Sequence, residues 1–220
     1  MKTTYNDIIN NEMFKKYFDF LISENQKYNL TSITDEKDVY YKHFLDSLSL
    51  ENIVDLENAH LCDVGSGAGF PSIPLKIMHP SMRLTIIEPT LKRCNFLKEV
   101  VKLLNLNDVE IINDRAENIK DRSFDIVTAR AVSTLNILIE LCVPLAKVNG
   151  YFIALKGSNY IEELSSSNKA LKELDAKVTS IYKYDLEEYG ERVLIKIRKE
   201  KETKKIYPRL YAQIKKKPLC

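Results

Sequence analysis

Leu61-Cys62-Asp63-Val64-Gly65-Ser66-Gly67-Ala68-Gly69 is an apolar run closed by three glycines at alternate positions. The run predicts a buried strand ending in a loop of exposed backbone. Glycine takes positive φ without strain and lets another group approach where a side chain would collide. Pro71 follows, a residue suited to the first turn of a helix. In open α/β sheets, ligands bind beyond the carboxyl ends of the strands, which is where such a loop falls. The spacing is Gly-x-Gly-x-Gly, not the Gly-x-Gly-x-x-Gly of dinucleotide folds. A phosphate-binding Gly-Lys-[Ser/Thr] is missing, which disfavours a nucleotide triphosphatase.

Working outward, short β-rich runs alternate with helical patterns. Strands are predicted at 60–64, 83–88, 109–113, 124–129, 150–156, 178–185 and 191–198. Helices fall near 71–79, 91–105, 134–147 and 160–175. Such alternation predicts parallel βαβ units with helices on both faces. The last two strands are too close for a crossover helix, so they pair as an antiparallel hairpin. Seven strands, mostly parallel with an antiparallel last strand, are the Rossmann-like class I methyltransferase variant of the α/β fold. Upstream, Phe14, Tyr17, Phe18, Leu21 and Ile22 recur at helical spacing, and a second helix is predicted over about 35–50 with Val39, Phe44, Leu45 and Leu48 inward. The expected organisation is an N-terminal helical extension at 1–55 packed on the core, a methyltransferase domain at 56–200 and a basic tail at 201–220.

Asp63 precedes the first glycine, where an acidic group can hold the loop or a cofactor's ammonium. Glu88 closes the second strand, and a carboxylate there can accept both hydroxyls of a ribose. The Gly65, Gly67 and Gly69 loop, Asp63 and Glu88 together suit S-adenosylmethionine; the competing reading is a structural turn and a surface glutamate. Asp114-Arg115-Ala116-Glu117 follows the third strand, where backbone amides and a side chain can grip an adenine. Arg130 follows the fourth strand, at the rim of such a site.

Composition is that of a globular chain: 220 residues, 45% hydrophobic and 29% charged. No apolar run approaches the roughly 18 residues a membrane span needs. The opening Met1-Lys2-Thr3-Thr4-Tyr5 lacks a signal peptide's apolar core, so a cytoplasmic protein is expected. Cys62, Cys94, Cys142 and Cys220 are far apart, without a Cys-x-x-Cys pair, and imply no metal. Charge is uneven: residues 192–220 carry 11 Lys/Arg against 2 Asp/Glu, a charge of +9, while 1–191 carry −7. A basic end on an acidic body suggests a polyanionic partner; a solvated tail is the alternative.

Tyr28-Asn29-Leu30-Thr31, His43-Phe44-Leu45-Asp46-Ser47, the loop at 63–75, Lys92-Arg93, Ala129-Arg130-Ala131 and Ala154-Leu155-Lys156-Gly157 occur in one order along nearly the whole chain. With these motifs the sequence closely resembles the bacterial glucose-inhibited division protein B family. That family methylates N7 of a guanine in the decoding-centre loop of 16S rRNA. The resemblance implies S-adenosylmethionine as methyl donor, with Gly65, Phe70, Ala116, Glu117 and Arg130 in the cofactor site. It implies 16S rRNA or the small ribosomal subunit as partner. Two departures stand out: Ser72 where the family usually has Gly, and Leu210-Tyr211-Ala212 where Gly-Thr-Pro usually follows Tyr-Pro-Arg.

Guanine N7 carries an in-plane lone pair at neutral pH, so in-line transfer needs alignment and no obligatory general base. No catalytic acid–base residue is therefore expected. His43, Asp46, Ser47 and Lys156 are candidate substrate contacts, and the C-terminal lysines are candidate phosphate contacts. His43 is equally readable as a structural hydrogen-bonding residue, and Lys92 and Arg93 either as phosphate contacts or as solvated residues. No heptad or large apolar stripe demands a dimer, so a monomer is expected. The alternatives are a methyltransferase for a small molecule or protein and a noncatalytic cofactor- or RNA-binding module. Cofactor titration followed by methyl transfer to rRNA separates them.

Overall fold

A computed structural model describes residues 3–220, which fall into two compact units, one ending at Asp114 and the other spanning Arg115–Cys220.

The first unit begins with helices. In α1 (Tyr5–Ile9) the Thr4 side chain and Asp7 form a reciprocal capping box, which satisfies amides that lack a partner within the helix. In α2 (Glu12–Tyr28) Asn11 caps the start, and Phe14, Tyr17 and Leu21 are buried on one face. Asn29 ends α2 in the left-handed region, at φ 50°, a conformation asparagine tolerates better than most residues. The segment predicted as one helix over 35–50 is wound less evenly. α3 (Glu36–Val39) passes into a π-helical stretch at Tyr40–Leu45, then α4 (Asp46–Leu48) and a 3₁₀ turn. The predicted inward residues Val39, Phe44, Leu45 and Leu48 are all buried, and the π winding buries Tyr40 and Tyr41 as well. Such bulges recur at functional sites.

Three strands complete this unit: β1 (His60–Val64), β2 (Arg83–Ile87) and β3 (Val109–Ile112), in the order β3-β2-β1 and all parallel. They are joined through α5 (Ser72–Met78) and α6 (Leu91–Leu103). From Leu61 every residue of β1 is buried, as expected of a parallel strand covered on both faces. Their carboxyl ends present Asp63, the glycine loop and Glu88 along one edge.

The second unit holds β4 (Phe124–Arg130), α7 (Leu135–Cys142), β5 (Ala146–Lys156), α8 (Tyr160–Ser165), α9 (Asn168–Glu173), β6 (Ala176–Asp185) and β7 (Glu191–Lys199). The strand order is β4-β5-β7-β6, with β7 antiparallel to both neighbours. β5 starts four residues before the predicted Gly150. Its pairing with β4 shifts between Phe124↔Ala146 and Ile126↔Tyr151. This irregularity depends on Gly150, where a Cβ would lie 2.9 Å from the Asp125 carbonyl oxygen. Among the described residues there are seven strands, with only β7 reversed. α10 (Tyr211–Lys216) lies in the basic segment, with Ile214 fully buried. Among the described residues no helix is long and apolar enough to cross a membrane.

Candidate active site

Gly65, Gly67 and Gly69 all have positive φ, at 72°, 62° and 103°. The Gly65 N–H continues the strand ladder to the Ile87 carbonyl at 2.8 Å, and Gly69 and Phe70 then donate to the Ser66 carbonyl, closing a tight turn. A Cβ on Gly67 would meet no heavy atom within 4 Å, so the loop backbone is open to approach there. Gly69 serves packing instead, since a Cβ there would lie 2.6 Å from Tyr17 Oη and 2.7 Å from Ile73.

Glu88 is buried yet well satisfied. Oε2 accepts the Gly67 N–H at 3.1 Å and Oε1 accepts the Thr90 N–H at 2.9 Å. Its backbone carbonyl accepts from Asn113 Nδ2 at 3.0 Å and from the Cys94 thiol at 3.1 Å. Burial, followed by the Glu88 charge, pushes that thiol above its usual range. An ionised carboxylate has about four acceptor sites, so Glu88 retains capacity for ribose hydroxyls while bracing the glycine loop. Arg93 Nη1 stands 3.9 Å from Oε1. Asp63 is fully buried near the end of β1, paired in register with Ile86. Ser72 is buried at the start of α5, and its Oγ has no hydrogen-bond partner among the described residues.

Phe70 links the loop to the helical segments. Its ring stacks on His43 with centroids 4.4 Å apart and lies 5.6 Å from the Tyr17 ring. The Tyr17 hydroxyl donates to the Ala68 carbonyl, and Thr31 Oγ1 is 2.8 Å from His43 Nε2. His43, predicted as a substrate contact, is thus brought against Phe70, predicted as a cofactor contact. Ser47 Oγ donates to the His43 carbonyl, and Asp46 is buried one residue earlier. Thr31 is itself set by Asn25, whose side chain binds the Leu30 and Thr31 amides and the Thr31 carbonyl.

In the second unit, Ala116 and Glu117 are buried in a 3₁₀ turn. Glu117 Oε1 accepts the Tyr211 N–H at 3.1 Å and lies 3.3 Å from Arg115 Nε. Arg130 ends β4, partly exposed, and Ala131 after it has φ 56°, a backbone state uncommon outside glycine. Lys156 ends β5 but is already engaged: its Nζ is 2.6 Å from Glu163 Oε2 and 2.8 Å from the Ser133 carbonyl. The same Glu163 oxygen accepts the Leu135 N–H at 2.7 Å. Sequence reasoning missed Tyr17, Asn113 and Glu163, and it marked Thr31 only as part of a motif, without its contact to His43. Tyr17 read as one more apolar position on α2, and nothing in the sequence marked its hydroxyl, Asn113 or Glu163.

Solved structures share this architecture. Tyw2 from M. jannaschii, in complex with AdoMet, aligns with a TM-score of 0.59 at 16% identity, covering 76% of this chain and 79% of that one. An O-methyltransferase from Bacillus cereus, in complex with SAH, aligns with a TM-score of 0.58 at 15% identity, covering 84% and 90%. The fold is that of the class I S-adenosylmethionine-dependent methyltransferases, and S-adenosylmethionine is the methyl donor of this class. Within it, the chain belongs to the rRNA small subunit methyltransferase G family, whose model matches residues 10–194. A relative of that name from Lactobacillus helveticus (strain DPC 4571) is 46% identical over 218 residues, 95% of this chain and 91% of its own length.

Proposed function

We propose that this chain transfers the methyl group of S-adenosylmethionine to N7 of a guanine in the decoding-centre loop of 16S rRNA. The observation that carries the cofactor side is the buried Glu88 carboxylate, tied to the Gly67 amide where the glycine loop is open to approach. The acceptor follows from the family, whose relatives are named for methylation of small-subunit rRNA. When bound, the cofactor supplies an electrophilic methyl on sulfur.

The protein's task is positioning. In this reading Asp63, Gly65, Gly67, Phe70, Glu88, Ala116, Glu117 and Arg130 are the cofactor residues, while Gly69 shapes the loop by packing against Tyr17 and Ile73. His43, fixed by Thr31 and stacked on Phe70, is the substrate contact best held in place; Asp46 and Ser47 support it. Lys156 reaches RNA only by giving up its ion pair with Glu163, which makes it the weakest of the four. Because N7 has no proton to lose, no side chain is needed as general base.

Residues 1–55 act as a helical platform, 56–200 as the methyltransferase domain and 201–220 as a basic segment for RNA phosphates. The chain acts as a monomer in the cytoplasm. The test incubates purified protein with 16S rRNA, small subunits and labelled cofactor, then maps N7-methylguanine. A single modified guanine in the decoding-centre loop is expected, and cofactor binding without transfer to either substrate sinks the proposal. Arg130→Ala is expected to lose turnover; unchanged affinity and turnover remove Arg130 from the site.

A further inference from the structure

Glu140 sits within α7 among Leu138, Ile139, Leu141 and Cys142, and its side chain is fully buried. A lone carboxylate in such surroundings is strongly unfavourable. Arg209 meets it with Nε on Oε1 at 2.7 Å, Nη2 on Oε2 at 2.6 Å and its own backbone N–H on Oε1 at 3.1 Å. Nη1 also donates to the Lys217 carbonyl at 3.1 Å, folding the C-terminal segment over this anchor. Two residues beyond Arg209, the Tyr211 N–H donates to Glu117 Oε1, and the Arg115 guanidinium lies 5.2 Å from the centre of the Tyr211 ring. Glu117 Oε1 therefore receives the Tyr211 amide and lies beside Arg115 Nε. Oε2 receives no donor among the described residues.

We infer that residues 207–217 form part of the cofactor site, with Arg209 and Tyr211 as positioning residues for the methyl donor. This rests on the reading of Glu117 as a cofactor residue. Arg209 clamps the segment to Glu140, and Tyr211 fixes one oxygen of Glu117. The other oxygen is left to accept from a donor on the adenosine, such as its amino group. A carboxylate held at one oxygen loses less freedom on binding, so the benefit appears as cofactor affinity. The same segment turns Lys215, Lys216 and Lys217 to solvent, so an element that reads as an RNA-binding tail also completes the binding of the small molecule.

The test compares Tyr211→Ala, which keeps the backbone N–H, with Tyr211→Pro, which removes it. Position 211 is the first residue of α10, where proline is tolerated. Leu210, at ψ 139°, already has the extended backbone that a following proline requires. S-Adenosylhomocysteine is titrated into each full-length variant, and KM and kcat are measured for both substrates. Tyr211→Pro is expected to bind about five-fold or more weakly than Tyr211→Ala, on the scale of one hydrogen bond to a charged group. Cofactor KM should rise with it while kcat at saturation holds. Equal affinity of the two variants overturns the inference. Glu117→Gln separates the layers: unaltered affinity there overturns the Glu117 assignment and the inference with it. A weakened Glu117→Gln beside equal Tyr211 variants overturns the inference alone. Hydrogen exchange in the unmodified protein provides a readout free of folding defects. Saturating S-adenosylhomocysteine should slow the amides of residues 209–214, and unchanged exchange counts against the inference.

Discussion

A methyl group added at Gly67 meets open space, whereas one added at Gly69 meets Tyr17 Oη and Ile73. The two glycines are indistinguishable in the motif, and the structure predicts opposite phenotypes for their alanine variants. Gly67→Ala pays the modest penalty of a left-handed alanine, about 1–2 kcal/mol, but puts its Cβ where the loop is open to a ligand. Its expected signature is at least a ten-fold loss of S-adenosylhomocysteine affinity with a small loss of stability. Gly69→Ala combines a φ of 103° with two overlaps, and should cost about 3 kcal/mol or more in urea unfolding. Equal stability losses in the two variants contradict this division of roles. Glu88 was legible as a site candidate because strand ends in an α/β sheet are predictable positions. Its anchoring by Asn113 was not, since that contact joins residues 25 apart through the pairing of β2 with β3.

At the scale of elements, the alternation of β-rich and helical runs revealed the strands because period and composition change together at each boundary. What it missed follows from tertiary pairing. β5 begins at Ala146 because Gly150 permits a bulge against β4, and the 35–50 helix contains a π stretch because the aromatic core takes up Tyr40 and Tyr41. Tyr40 packs edge-on against Phe44 at 5.1 Å, and burial, aided by nearby Glu36, pushes its phenol up to about 12. Between the ordinary value of 10 and about 12, the unfolded chain loses this proton before the folded one. The folded state then binds more protons, so stability falls as pH rises through that window and the contribution is intact below it. Tyr40→Phe removes the titration. From about pH 9 to pH 11.5 the variant should gain about 2 kcal/mol relative to the unmodified protein. Urea unfolding of both proteins at the two pH values measures it, and parallel pH curves would refute the assignment to Tyr40.

Over the whole molecule, charge was readable from the sequence and its placement was not. Residues 192–220 carry +9, a value that fits a solvated tail as well as an ordered element. The deciding contact is between Arg209 and Glu140, 69 positions apart, and no local pattern announces it. The anchored segment holds three consecutive lysines, Lys215, Lys216 and Lys217, exposed beside the buried Ile214. Held by Arg209 and Ile214, these lysines form a fixed cationic edge. Each phosphate they neutralise releases counterions, so the affinity for single-stranded RNA falls with salt by about 0.7 per contact on a log–log plot. Replacing all three by Gln should lower the magnitude of that slope by about 2 for a decoding-centre RNA fragment. Arg209 and Tyr211 are untouched in that variant, so S-adenosylhomocysteine affinity serves as the internal reference and should hold. A slope that does not change means RNA phosphates are met elsewhere on the surface. A slope that falls together with cofactor affinity means that Lys215–217 and the Glu117 contact cannot be separated, and that RNA and methyl donor are coupled through this segment with reciprocal effects on each other's binding.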